Sequence, residues 1–226
     1  MTSGVGLIVV AAGSSQRMGG TDKVWADLGG EPVICHSLRR LAPIASTIAV
    51  IVHPDWLRHA RGVLHNLVPN IRIRSGGAER RHSVARGIEA LGDGVTAIAV
   101  HDAARPFVPA EILADGLFRL ATADGAVPAL PPPQTVKAVE GDRITRTLDR
   151  SSLRLAQTPQ VFRAAALRNT YDNADLDISA ATDDAALAEA AGLNITVYPG
   201  AEQNFKITTP YDLDVARALL AAGVIR

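Results

Sequence analysis

Two cations, Arg17 and Lys23, follow Gly13 within ten positions in the stretch Val9-Val10-Ala11-Ala12-Gly13-Ser14-Ser15-Gln16-Arg17-Met18-Gly19-Gly20-Thr21-Asp22-Lys23. A β-branched run that breaks into alanine and glycine leaves bare backbone N–H groups free to close around phosphate oxygens, and nearby cations supply the matching charge. The chemistry this suits is binding of a polyphosphate. The spelling is not a dinucleotide fingerprint, because Ser14 and Ser15 follow Gly13, and not a Walker A loop, because Thr21 follows Gly20 where that motif needs lysine. An ordinary glycine-rich turn between a strand and a helix has the same composition.

Three further groups carry polar chemistry. In Ser75-Gly76-Gly77-Ala78-Glu79-Arg80-Arg81-His82-Ser83, two glycines follow a predicted strand and Ser83 falls inside the next helix. Backbone groups there could read the edge of a pyrimidine, and a turn leading into an amphipathic helix with Val84, Ile88 and Leu91 on one face accounts for the same residues. In His101-Asp102-Ala103-Ala104-Arg105-Pro106-Phe107, Asp102 could bind a sugar hydroxyl or help hold Mg²⁺, while Arg105 could fork onto a phosphate. An aspartate that caps the turn and pairs with its own arginine explains that run equally well. His101, closing a buried strand, reads as a satisfied structural histidine rather than a base. The third group is dispersed over Thr135, Lys137, Asp149-Arg150, Gln157-Thr158-Pro159-Gln160, Thr182-Asp183-Asp184 and Asn204-Phe205-Lys206-Ile207-Thr208, and singly these read as solvated surface groups. Lys206 interrupts a β-like run, so its side chain is expected to emerge from a sheet.

The elements that must position these groups follow an α/β rhythm. Val5 to Val10 reads as a strand buried on both faces, and Thr47 to Val52, Ile71 to Arg74, Thr96 to Val100 and Gly125 to Leu130 as further strands. Segments of helical period separate them. Pro32, Pro54, Pro109 and Pro210 suit first helical turns, Thr182 suits a cap ahead of Asp183 and Asp184, and Gly192 and Gly223 read as stops. The expectation is a single domain over 1–226 with a Rossmann-like fold: a mainly parallel sheet with helices on both faces and ligand loops at the strands' carboxyl ends. Between Pro131 and Pro159 there is no room for a crossover helix. Thr135 to Val139, a Glu140-Gly141-Asp142 turn and Ile144 to Leu148 instead predict a protruding β-hairpin, an arm over 133–160. An isolated hairpin is marginal in water, so a homodimer through this arm is expected.

Composition bounds the remaining classes. The chain has 226 residues, 47% of them hydrophobic and 20% charged, enough to bury a substantial core. Its 23 basic residues balance 23 acidic ones, so no broad footprint for nucleic acid is expected and any anion site must be local. No apolar run approaches the roughly 20 residues of a membrane span, and no secretory leader is legible. The lone Cys35 excludes an internal disulfide and an all-thiolate metal site. A cytoplasmic protein without a membrane partner is expected.

Taken in order, Ala-Ala-Gly-x-x-x-Arg-Met with a nearby Lys, Gly-Gly-x-Glu-Arg-x-x-Ser, His-Asp-Ala-Ala-Arg-Pro, Asp-Arg, Thr-Pro-Gln, Thr-Asp and Asn-x-Lys-x-Thr resemble the 2-C-methyl-D-erythritol 4-phosphate cytidylyltransferases from about Leu7 to the last helix. The resemblance implies transfer of a cytidylyl group from CTP to the sugar-alcohol phosphate, with release of pyrophosphate, in the non-mevalonate route to isoprenoids. By motif, Ala11, Ala12, Gly13, Gly77 and Ser83 would hold the cytidine, and Arg17, Lys23 and Lys206 would surround the triphosphate as catalytic cations. Asp102, Arg105, Thr135, Arg150 and Thr182 would bind the acceptor, with Arg150 and Thr182 entering from a partner's arm or a neighbouring loop. Mg²⁺ would be held mainly by CTP phosphates, with Asp102 able to reach it through water. An arm-exchanged homodimer is likewise implied. Two positions depart from the pattern: Val10 stands where relatives often have Pro, and Asp22 precedes Lys23 where they often have Pro. Screening by solvent keeps the effect of that acidic neighbour small.

The attacking phosphate monoester is largely anionic at neutral pH, its second pKa being about 6, so the reaction needs no general base. What it needs is in-line placement of two repelling anions and stabilisation of charge on the α-phosphate and the leaving pyrophosphate. A ribitol 5-phosphate cytidylyltransferase shares much of the pattern. A molybdopterin guanylyltransferase shares the first loop but should lack His-Asp-Ala-Ala-Arg-Pro, and a CTP-binding regulator would not need five converging cations.

Overall fold

A computed structural model describes residues 4–13, 22–173 and 181–225. Its central element is β1 (Val5–Ala11), paired in parallel with β4 (Thr47–Val52) on one side and β6 (Ala97–Asp102) on the other. All three are apolar runs. Leu7 and Val9 bury their side chains in one cluster and Ile8 in another across the sheet, as alternation along a strand covered on both faces requires. Outside β4 lies β5 (Arg72–Ser75), also parallel. Beyond β6 the sheet changes character: β11 (Gln160–Arg163) runs antiparallel between β6 and β7 (Gly125–Leu130), and β12 (Ile195–Pro199) closes that edge parallel to β7. With the short β10 (Leu155–Ala156) pairing antiparallel to β7, the sheet has eight strands among the described residues.

Helices cover both faces. Residues of α1 (Val33–Leu41), α2 (Leu57–Leu67) and α4 (Ala110–Arg119) pack in the cluster of Leu7, Val9 and Val50. Residues of α3 (Arg80–Leu91), α5 (Ala164–Asp172) and α6 (Asp184–Ala190) pack with Ile8 and Ile51 on the other side. A third cluster joins α7 (Pro210–Ala221), Phe107 and Ile207 to Leu28 of the small ribbon formed by β2 (Asp27–Leu28) and β3 (Glu31–Pro32). The expected mainly parallel sheet between helical layers is therefore present, and Thr47–Val52 and Gly125–Leu130 have the anticipated ends.

Four expectations change. The projecting hairpin is β8 (Lys137–Glu140) with β9 (Arg143–Thr147), a separate two-stranded sheet turning at Gly141, whose φ of +55° suits glycine. From Leu155 the chain has rejoined the main sheet, so the arm is shorter than 133–160. The cap of α6 is Asp183, whose carboxylate accepts from the Ala186 N–H at 2.9 Å, and not Thr182. Pro32 and Pro109 sit one residue ahead of their helices, as caps, while Pro210 occupies the first turn of α7. Lys206 leaves from an irregular loop and not from a sheet. That loop is nevertheless fixed, because the buried Ile207 donates its N–H to the Ala104 carbonyl at 2.8 Å, and Thr208 and Thr209 both donate to Asp212 in the capping box of α7.

Candidate active site

Register brings the chemistry together. Val10 lies opposite Asp102, Ala11 opposite Val52, and Val52 opposite Ser75, so the exits of four parallel strands form one row. Loops leaving such a row converge over the sheet's carboxyl edge, where an open α/β sheet binds ligands. There a cavity of about 380 Å³ is walled by Ala11, Ala12 and Gly13 after β1, His53 after β4, Gly77 and Ala78 after β5, and Asp102 with Ala104 after β6. Lys23, Glu79, Arg80, Ser83 and Lys206 complete its polar lining.

The wall is tightly built. A Cβ on Gly76 would lie 2.3 Å from the Cβ of Ala12, and one on Gly77 would lie 2.4 Å from that of His82. Only glycine lets this turn approach the end of β1 so closely. The buried Ser83 hydroxyl accepts from the Gly77 N–H at 3.2 Å and donates to the Glu79 carbonyl at 3.4 Å. With its hydrogen engaged there, Ser83 can offer a ligand a lone pair but not a proton.

Asp102 is the electrostatic centre. It is only 9% exposed, with Lys206 Nζ at 2.8 Å, Arg80 Nη2 at 3.6 Å and Arg105 Nε at 3.8 Å. Burial opposes the charged carboxylate, but Lys206, Arg80 and Arg105 outweigh it and hold Asp102 well below the usual carboxylate range. Its backbone is pinned too. The Asp102 N–H donates to Thr158 Oγ1 at 3.0 Å, Thr158 lies 3.2 Å from His101 Nδ1, and His101 Nε2 lies 3.3 Å from the Arg105 carbonyl. Burial pushes the His101 imidazole down to about 4. The ring is therefore neutral near pH 7, with its hydrogen on Nε2 facing the carbonyl and Nδ1 accepting from Thr158. It does not line the cavity, which agrees with its reading as a structural histidine.

Arg80 is the residue that the sequence reading left unassigned. Its Nη1 lies 2.7 Å from Asp184, a carboxylate 1% exposed that also accepts from the Tyr171 hydroxyl at 2.6 Å. Burial works against the Arg80 charge, and the two carboxylates more than offset it, raising its pKa. Its spacing held the clue: Arg80 and Ser83 stand three apart on α3, and therefore share a face. The turn that carries Lys23 is braced by Asp22, which the sequence marks only as an acidic neighbour, and by an aromatic group that it does not mark. Asp22 Oδ1 accepts from the Val24 N–H at 3.1 Å, and Trp25 stacks on Trp56 at 5.5 Å with His59 edge-on to both. The Asp22 carboxylate thus also serves the turn that carries Lys23.

Of the expected site residues, Ala11, Ala12, Gly13, Lys23, Gly77, Ser83, Asp102 and Lys206 share this cavity. Arg105 lies behind Asp102 instead of in the wall, its Nη1 donating to the Asn204 carbonyl at 2.8 Å. Arg150 lines a separate hollow at the arm's base with Pro131–Pro133 and Glu202, while Thr135 is exposed near the arm. Thr182 borders a small recess reached from Arg80 and Asp184. Arg17 lies outside the described residues. The five converging cations are therefore not gathered within one chain's described residues: Lys23 and Lys206 are there, and Arg80 joins them.

Sequence comparison settles the family. The sequence profile of the 2-C-methyl-D-erythritol 4-phosphate cytidylyltransferases (IspD) matches residues 5–222. The chain belongs to this family. The enzyme of that name from Dehalococcoides mccartyi is 39% identical over 224 residues, covering 97% of each chain. A bifunctional IspD/IspF enzyme from Anaeromyxobacter dehalogenans is 44% identical over 223 residues, and the match spans 96% of this chain but 57% of that longer one. The crystal structure of 4-diphosphocytidyl-2C-methyl-D-erythritol synthase from Anaerococcus prevotii superposes with a TM-score of 0.86 at 26% identity over 97% of both chains. As a member of the family, the protein is a nucleotidyltransferase that makes 4-diphosphocytidyl-2-C-methyl-D-erythritol from CTP and 2-C-methyl-D-erythritol 4-phosphate. Among the described residues no helix is long and apolar enough to cross a membrane.

Proposed function

We propose that the cavity over the strand ends is where CTP binds and reacts, on the strength of one observation: Gly13, Lys23, Gly77, Asp102 and Lys206, from five separate segments, line a single 380 Å³ space. The backbone of Ala11, Ala12, Gly13 and Gly77, with Ser83, holds the cytidine. Lys23 and Lys206, with Arg17 assigned by motif alone, surround the triphosphate, and Arg80 adds a fourth cation from within the wall. The acceptor's phosphate oxygen attacks the α-phosphorus, the bond to the bridging oxygen breaks, and pyrophosphate leaves with that electron pair. The chain's part is to hold two anions in line and to stabilise the growing charge with fixed cations.

The donor set suits Mg²⁺. Magnesium keeps several waters and takes one or two carboxylates plus substrate phosphates, and Asp102 is a carboxylate in the wall. Among the described residues no cluster of three or more His, Cys, Asp or Glu could cage a metal alone, which leaves the triphosphate as the main ligand set and Asp102 as a contact through water. When bound, the ion neutralises phosphate charge. Asp102 also orders Lys206 and Arg80 for that task.

The acceptor is assigned to Asp102, Arg105, Thr135, Arg150 and Thr182. Thr135 and Arg150 stand with an arm whose β8 and β9 side chains are almost all exposed, including Val139 at 57% and Ile144 at 58%. A homodimer in which each arm packs on the partner covers that apolar surface and can bring Arg150 to a site, and a cytoplasmic location fits the lone buried Cys35. Pyrophosphate release is the decisive assay, run with CTP and either 2-C-methyl-D-erythritol 4-phosphate, ribitol 5-phosphate or no acceptor. Release is expected with the first alone. Equal release with ribitol 5-phosphate, or CTP binding without release, would reject the proposed site chemistry.

A further inference from the structure

A single peptide plane in the cavity wall is gripped at both ends by one helix. The Gly77 N–H donates to Ser83 Oγ, and the carbonyl of the same peptide unit, that of Gly76, accepts from Arg86 Nη1. Arg86 also donates to the Ser75 carbonyl at 2.9 Å. Ser83 and Arg86 stand three apart on α3, so they share a face and act together. A peptide between two glycines has unusual freedom to rotate, since neither flanking residue carries a Cβ that penalises the alternative backbone angles. Rotation of this one would exchange an N–H for a C=O in the wall at Gly77, which faces the cavity.

We propose that Arg86 is a positioning residue for nucleotide binding, fixing the Gly76–Gly77 peptide so that the turn presents one constant pattern of donors and acceptors. It does not line the cavity, so it acts only through the turn. The proposal rests on the reading that this cavity takes CTP. Arg86 is exposed, so its removal costs the fold little, while the lost charge-assisted hydrogen bonds release the turn in the free enzyme. The ordering cost then falls on CTP binding.

Steady-state kinetics on purified full-length variants, with both substrates varied, provides the test. Arg86→Gln is expected to raise KM for CTP about 5- to 20-fold, with kcat at saturation and KM for the acceptor within twofold of wild type and the melting temperature nearly unchanged. Arg86→Lys, which keeps a cation and its donors, should recover most of the loss. Arg74→Gln serves as the control: its Nη1 donates to the Ile73 carbonyl in the same surface recess but does not touch the turn. A KM for CTP within twofold of wild type in Arg86→Gln overturns the proposal, as does equal impairment in the Lys and Gln variants. Ser83→Ala separates the two levels: if it raises KM while Arg86→Gln does not, only the role of Arg86 falls, and if neither does, the seating of CTP at this turn falls as well.

Discussion

Replacing Asp102 by asparagine deletes one negative charge from the midst of three cations without altering side-chain shape. Lys206, Arg80 and Arg105 lie 2.8, 3.6 and 3.8 Å from its oxygens. At an effective dielectric near 20, each such attraction is about 4 kcal/mol or more, largely offset by the cost of taking the charges out of water. Removing one partner from a buried set typically costs about 3–5 kcal/mol, because the remaining charges stay desolvated and unpaired. The Lys206 side chain is 37% exposed, which screens its share and puts the expected loss near the lower end, about 3 kcal/mol. For a chain of this length that corresponds to a fall of about 6–12 °C in melting temperature at pH 7. The pH dependence carries a sign. Asp102 has a folded pKa below its ordinary 3.8, so its contribution is complete above that value and is lost as pH falls through the folded value. The gap between wild type and Asp102→Asn should therefore hold from pH 7 to pH 5 and narrow below pH 4. Burial pushes His101 down from 6.5 to about 4, so it too removes stability on acidification, between those values. It titrates in both proteins, and because the Asp102 charge props the imidazole up against burial, Asp102→Asn also moves His101 lower, which works against the narrowing below pH 4. Scanning calorimetry at pH 7, 5 and 3 measures the effect. A melting temperature within 2 °C of wild type at pH 7 would refute the electrostatic account.

Lys23→Ala should reduce turnover by about 10²-fold or more, by analogy with losing one transition-state donor, while leaving the far-ultraviolet circular dichroism unchanged. Near-normal turnover would remove Lys23 from the reaction. Thr158→Val keeps shape but strips the hydroxyl shared by the Asp102 N–H and His101 Nδ1, leaving two buried polar groups unmet. That is worth about 2–5 kcal/mol, read as a lower urea midpoint at an unchanged slope. An unmoved midpoint would show that the Asp102–Thr158–His101 chain is not structural.

Local pattern carried much of this protein. Buried strands announce themselves as apolar runs wherever both faces are covered, which is why β1, β4 and β7 were legible to within a residue. The turn after β5 was legible because a glycine that must sit close against a neighbouring residue leaves a mark in the spelling, as at Gly76 against Ala12 and Gly77 against His82. Helix stops at Gly192 and Gly223 have the positive φ, +79° and +66°, that their identity suggested. Short-range capping was less certain: Thr182 and Asp183 are both competent caps, and only the hydrogen bond from the Ala186 N–H to the Asp183 carboxylate decided between them.

Order along the chain was enough for the α/β class, the family and the membership of most of the cavity, since each of those depends on residue type and local spacing. Tertiary structure alone decided which charges meet. Arg80 lies 22 positions before Asp102 and 104 before Asp184, and Lys206 lies 104 after Asp102, so their pairing depends on strand register and on where two loops return to the sheet. The same holds for Arg105, whose Nη1 donates to the Asn204 carbonyl and whose Nε lies 3.8 Å from Asp102, the first of these a contact across 99 positions that local spacing does not show. Electrostatic energy varies with distance and burial, and neither is written in local spelling; a three-dimensional fold has to set both before a cation becomes a catalyst or a brace.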